Sequence, residues 1–207
     1  MDQEKINELL SILVAIIILS ISYTFKDNIS FINIFIVFTI VLSTNILSKK
    51  AFANYLNIQL KVKFWSIYQT SLLEKGHLKK PLTMAWLPLL LSYISKGIIL
   101  WMPILITTEE KTIQRITKDK GMHRFSEVTE WEKAQIICVS IFSLILICLI
   151  SSFFNFILLS KLSIYFALWS LIPLSNLDGS KLFFGSKKLW TFTTILTIIF
   201  FLITLTF

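Results

Sequence analysis

Apolar residues gather into four long runs along the chain, roughly Leu9 to Phe25, Phe31 to Leu47, Ala134 to Leu159 and Leu189 to Phe207. Crossing a bilayer as a helix takes about 20 apolar residues, so each run is read as one span. A fifth run, Leu162 to Asp178, is shorter, and Pro173 near its end predicts a broken or unwound turn. The stretch Leu82 to Thr107, "LTMAWLPLLLSYISKGIILWMPILIT", departs from the pattern. Lys96-Gly97 lies at its middle, Pro88 and Pro103 flank it, and its second half is rich in β-branched and aromatic residues. These features predict a helix that enters, turns near Lys96-Gly97 and returns as a strand-like segment. Such backbone is tolerated at membrane depth only where protein or a wet cavity shields it. The expected fold is an all-α polytopic membrane protein with five transmembrane helices, a re-entrant helix/strand hairpin and short β-strands.

Composition agrees with this pattern. Of 207 residues, 55% are hydrophobic and 15% charged, with a mean hydropathy of +0.75, which marks a multi-pass membrane protein. A net charge of +8 could point to nucleic acid, but the lysines sit beside apolar runs and read as membrane-flanking charge. The same charges orient the chain. With the N-terminus in the cytoplasm and Leu82–Thr107 turning back, 17 Lys and Arg fall inside and only two, Lys26 and Lys161, outside. If that segment spans instead, the tally becomes 9 against 10. The positive-inside rule favours the hairpin, with Lys96 at its tip snorkelling or finding a partner. The implied localisation is the cell membrane, with the N-terminus and main loops cytoplasmic.

The chain reads as a single membrane domain over 1–207. Its core spans 31–180, its cytoplasmic loops are 49–81 and 108–132, and its peripheral helices are 7–25 and 189–207. Alternation in "IQLKVKFWSIY" predicts a short strand. "SEVTEWEKA" reads as a helix start with Ser126 as cap. The N-terminal run has acids in its head and no small-residue cleavage site, so it is expected to be a retained helix. Cys138 and Cys148 lack metal or redox spacing and read as small buried hydrophobes. Trp65, Trp86, Trp131, Trp169 and Trp190 fall near expected span ends, as interfacial belts do.

One acid, Asp178, stands at the end of an apolar run in "SLIPLSNLDGSKLFFGS". Together with the topology, Pro173, Leu177, Asp178 and Gly179 resemble the late Pro-x-x-x-Leu-Asp-Gly motif of the site-2 protease family, zinc-dependent proteases that cut transmembrane helices. Ser170 and Asn176 depart from that family's usual Asn and Pro. The resemblance implies a site-2 protease-like core and assigns Asp178 as a zinc ligand. The family also carries HExxH, whose histidines share a helix face to bind zinc and whose Glu activates water. No HExxH exists here. "KKAFANYLNIQLKVKFW" resembles the family's continuation beyond HExxH, and this register replaces the motif by Asn45-Ile46-Leu47-Ser48-Lys49. Asn45 and Lys49 stand in the ligand positions and Ile46 in that of the base, which leaves a degenerate locus of Asn45, Ile46, Lys49 and Asp178 with no catalytic residue.

Asn45 and Lys49 are four apart and share a helix face. The resemblance directs that face at Asp178, so the Lys49 ammonium is expected to stand where the metal would and to neutralise the carboxylate, with Asn45 hydrogen-bonding either partner. The plainer alternatives are that Lys49 and Lys50 anchor the helix end at the interface and that Asp178 caps a short following helix. His77 and His123 read as solvated loop residues. The leading functional expectation is an inactive pseudoprotease that binds or regulates a transmembrane client, its partners being the lipid bilayer and that client helix rather than nucleic acid. A second reading is an active zinc protease with a site rebuilt from Asp178 plus His77, His123 or Cys138. A third is a transporter or channel component. No cofactor is expected under the first reading and zinc under the second, with Asp178 the favoured ligand.

Overall fold

The computed structural model describes residues 3–25, 30–69, 77–110 and 128–206. Among them, four helices are long and apolar enough to cross a membrane: α1 (Gln3–Thr24), α2 (Phe31–Tyr55), α4 (Glu130–Phe153) and α7 (Lys187–Thr206). Three shorter ones, α3 (Leu87–Ile94), α5 (Ile157–Ser170) and α6 (Asp178–Gly185), join them. Strands β1 (Gln59–Phe64), β2 (Ser66–Gln69), β3 (His77–Thr83) and β4 (Leu105–Glu110) complete the described residues. The arrangement is that of a membrane-embedded helical protein.

Two expected boundaries move. The apolar run from Ala134 to Leu159 is not one helix but two. Asn155 adopts φ 60°, and the Phe156 N–H reaches back to the Ser151 carbonyl at 2.8 Å, closing a left-handed helix cap. α5 then begins at Ile157 and runs 14 residues, short of an ordinary span. α2 likewise continues past Leu47 to Tyr55, so the loop expected from residue 49 begins only after Asn57, which at φ 57° caps α2 in the same way. Asparagine tolerates this conformation because its short polar side chain bonds locally. In a chain with five glycines, it does glycine's work at two helix ends.

The segment after Leu82 has the expected shape of a helix followed by an extended return. Pro88 sits in the first turn of α3, where its missing N–H costs nothing. The helix ends in a cap with Lys96 at φ 51° and Gly97 at φ 82°, and the Gly97 N–H bonds the Ser92 carbonyl at 2.8 Å. Lys96 is exposed at this tip. The chain returns in extended form through Pro103 into β4, which pairs antiparallel with β1 from Gln59↔Glu110 to Phe64↔Leu105. The alternation in "QLKVKF" thus forms the expected strand.

A second ribbon pairs β2 with β3, Ser66 opposite Thr83 and Gln69 opposite His77. His77 therefore starts a strand rather than lying in a loop. Trp65 links the two ribbons: its N–H bonds the Ile104 carbonyl at 2.7 Å, and its carbonyl accepts from the Met84 N–H at 2.9 Å.

Helix α4 is central, packing on α2, α5, α6 and α7. Its contact faces carry small and hydroxyl residues, which let membrane helices approach closely. Ser143 donates to Ser48 of α2 at 3.0 Å, and Ser160 of α5 lies 2.7 Å from Ser152 and 3.3 Å from Cys148. Both cysteines are buried and form no disulfide, as small hydrophobes would. The first turn of α4 is fixed by a capping box between Thr129 and Glu132, so the cap is Thr129 rather than Ser126, which lies outside the described residues.

The tryptophans do not form a simple belt. Trp86 and Trp131 are exposed, but Trp65 and Trp169 turn inward onto Trp101, with ring centroids 5.8 and 4.9 Å away. Trp190 donates to the Leu171 carbonyl at 2.9 Å.

Candidate functional site

On α2 the positions Leu42, Asn45, Ile46, Lys49 and Ala53 are buried, a stripe at the helical period. Two of them are strongly polar, and only a partner makes that tolerable. The partner comes from the turn after α5. There Pro173 ends helical continuation, Ser175 adopts φ 46°, and the Leu177 N–H closes a turn onto the Leu174 carbonyl at 3.0 Å. α6 then starts at Asp178.

Gly179 explains why the Leu-Asp-Gly step reads as it does. A Cβ there would collide with the Ile172 carbonyl oxygen and with backbone carbons of Leu171 and Ile172 at 2.5 and 2.6 Å. Only glycine lets α6 fold back on the end of α5, and this fold-back aims Asp178 at α2.

Lys49 Nζ lies 2.6 Å from Asp178 Oδ2, with both side chains at least nine-tenths buried. The ion pair expected from the family resemblance is formed. A pair this short and buried is a charge-assisted hydrogen bond, whose desolvation cost is offset only by close geometry. Asp178 does not cap α6. The cap position belongs to Leu177, and no side chain caps it, although a carboxylate in the first turn is favoured by the helix dipole.

Asn45 departs from expectation. Its Nδ2 has no hydrogen-bond partner among the described residues, and neither has Asp178 Oδ1. Both residues line one cavity of about 20 Å³ with Val62, Thr107, Ser170 and Leu177. That volume suits a single water, which would accept from Asn45 and donate to Asp178.

Zinc, which the family resemblance implies, does not fit this locus. Its donors are one carboxylate and one amide, and an ammonium sits against the carboxylate where a cation would stand. Ile46 is buried and has no group to take a proton from water. Cys138 is buried on α4 and does not line the cavity. His77 lies in β3, and His123 falls outside the described residues. What the arrangement can do is hold α2, α6 and the β1–β4 ribbon together around a neutralised charge.

Two contributors were not anticipated. Lys181, one turn beyond Asp178, donates to the Thr107 carbonyl and ties α6 to β4. Glu8 of α1 pairs with Lys50 at 2.6 Å and accepts the Val62 N–H at 3.1 Å. The scarcity of acids beside apolar runs was the available signal for Glu8; for Lys181 there was none. In comparisons with protein families, curated proteins and solved structures, no match to this chain was found.

Proposed function

We propose that this chain is a multi-pass membrane protein with a site-2 protease-like core, catalytically inactive, that binds or regulates a transmembrane client. The observation that carries the reading is the Lys49–Asp178 pair at 2.6 Å. The resemblance puts a metal between those positions, and an ammonium does that electrostatic work without activating water. Ile46 in the place of the base agrees. The helix-and-return shape of Leu87–Glu110, together with the lysine tally, supports a re-entrant hairpin, five crossings including the short α5, and cytoplasmic N-terminus and main loops.

Metal analysis of two purified proteins tests this. The native chain is expected to carry no stoichiometric zinc and to leave transmembrane reporter peptides uncut. The triple variant Asn45→His/Ile46→Glu/Lys49→His rebuilds HExxH opposite Asp178 and is expected to take up one zinc. Zinc in the native protein overturns inactivity. A folded triple variant that binds none overturns the kinship. For the client, crosslinking to a defined transmembrane segment within the bilayer is the matching readout, and its absence across candidate segments removes that part of the reading.

A further inference from the structure

Helix α1 serves as a ruler of depth. Near its start, Glu8 pairs with Lys50 of α2 at 2.6 Å and accepts the Val62 N–H of β1 at 3.1 Å. Near its end, the Ser92 hydroxyl of α3 donates to the Ser22 carbonyl, and Tyr93 meets Phe25 edge to face with ring centroids 6.2 Å apart. Fourteen residues of helix separate Glu8 from Ser22, a rise of about 21 Å against a hydrocarbon core of about 30 Å. Later residues of α3 meet later residues of α1, so the two helices run the same way. The cap of α3 at Lys96 and Gly97 therefore lies beyond Ser22, at the far end of α1. The start of α2 lies at that end too, with Tyr23 against Phe38 at 6.3 Å between ring centroids. The return has the length this requires. Thr107 of β4 stands opposite Val62, back at the level of Glu8, and the ten residues from Gly97 reach up to about 33 Å when extended. The segment does turn back, but only after covering most of the depth that α1 covers.

The surface of the tip points to its partner. Lys96 is exposed at φ 51°, and Tyr93, Ile94 and Ile98 around it are 73%, 69% and 82% exposed. Water is a poor solvent for three such side chains, whereas the boundary of a bilayer suits both them and the lysine. Apolar groups stay in the acyl layer while the ammonium reaches up to phosphate oxygens. The level of the tip, where one membrane-length helix ends and the next begins, is that boundary. We propose that the Ser95–Gly97 turn docks on the phospholipid headgroup layer opposite the Glu8–Lys50 end, with Lys96 at the lipid phosphates and Tyr93, Ile94 and Ile98 among the adjoining acyl chains. The hairpin is then a full-depth element pinned at its far end, not a shallow insertion. These are positions relative to α1, so the docking stands whichever face is cytoplasmic and whatever the ancestry of the core.

Labelling of single cysteines with a membrane-impermeant maleimide, in right-side-out and in inverted vesicles carrying the full chain, tests the depth. The native chain is the blank, because Cys138 and Cys148 are both buried. Ser30→Cys and Tyr55→Cys, exposed at the two ends of α2, mark the two faces. Lys96→Cys is expected to label from the Ser30 face and to lose labelling from the Tyr55 face. Lys96 already carries a side chain at positive φ, so this substitution adds no backbone strain. Labelling from the Tyr55 face, or from neither, overturns the full-depth hairpin. Spin labels on Ile94→Cys, Lys96→Cys and Ile98→Cys in phospholipid bilayers test the partner. The label at 96 is expected at phosphate depth, and those at 94 and 98 beneath it, reached by oxygen and shielded from an aqueous nickel complex. Full access of the nickel complex to all three would mean that the turn stands in water, and overturns the docking.

Discussion

Lys49 and Lys50 are neighbours on one helix, yet they live in different solvents. Lys49 is 3% exposed against Asp178 in a cavity of about 20 Å³, whereas Lys50 keeps about a third of its side chain accessible against Glu8 at the edge of a groove of about 580 Å³. Both pairs measure 2.6 Å. Equal distance therefore does not mean equal energy. The closed cavity has room for a single water and no bulk solvent, so the loss of one charge strands the other. In the open groove water and salt take over.

The largest expected effect breaks the closed pair. Lys49→Met leaves Asp178 buried and uncompensated, and should lower stability to denaturant in micelles by about 3–5 kcal/mol. Lys49→Met/Asp178→Leu removes both charges and should recover most of that loss. A double variant as unstable as the single one would show that the charge is not what the cavity is built around.

The next effect concerns the fold-back that delivers Asp178. Gly179→Ala drives a methyl into the Leu171–Ile172 backbone, at about 1–3 kcal/mol, read as a lower melting temperature. An unchanged melting temperature would mean that the turn can shift freely, and then Asp178 is not held by it.

The smallest effect belongs to the open pair. Lys50→Met should cost less than about 1 kcal/mol, and at about 1 M salt, where screening acts within about 3 Å, the difference should vanish. The Lys49→Met deficit should persist at that salt. Equal losses for the two lysines, or equal salt sensitivity, would erase the contrast between the two regions.

How much of this was legible depended on range. The helix-and-return of Leu87–Glu110 was readable because Lys96-Gly97 and the two prolines act on their own backbone. The strand in "QLKVKF" was readable from its period of two. The break at Asn155 was not, because asparagine permits a left-handed cap without requiring one, and the surrounding run is apolar on both sides. The inward packing of two tryptophans was not readable, for a related reason. Interfacial preference is an average, and Trp65 and Trp169 are instead captured by Trp101, a contact between residues distant in sequence.

The sequence by itself determined the apolar runs long enough to cross a membrane, the face shared by Asn45 and Lys49, and the isolation of Asp178 among apolar neighbours. These come from composition and from the helical period, both local properties. The family resemblance anticipated the meeting of Lys49 and Asp178; tertiary structure alone decided that Lys50 meets Glu8, that Asn45 Nδ2 stops short of the carboxylate, and that α1, α2 and β1 enclose a groove. Each of those depends on the close approach of segments far apart along the chain, set by packing and by a glycine with no room for a methyl, which no pattern within one segment encodes.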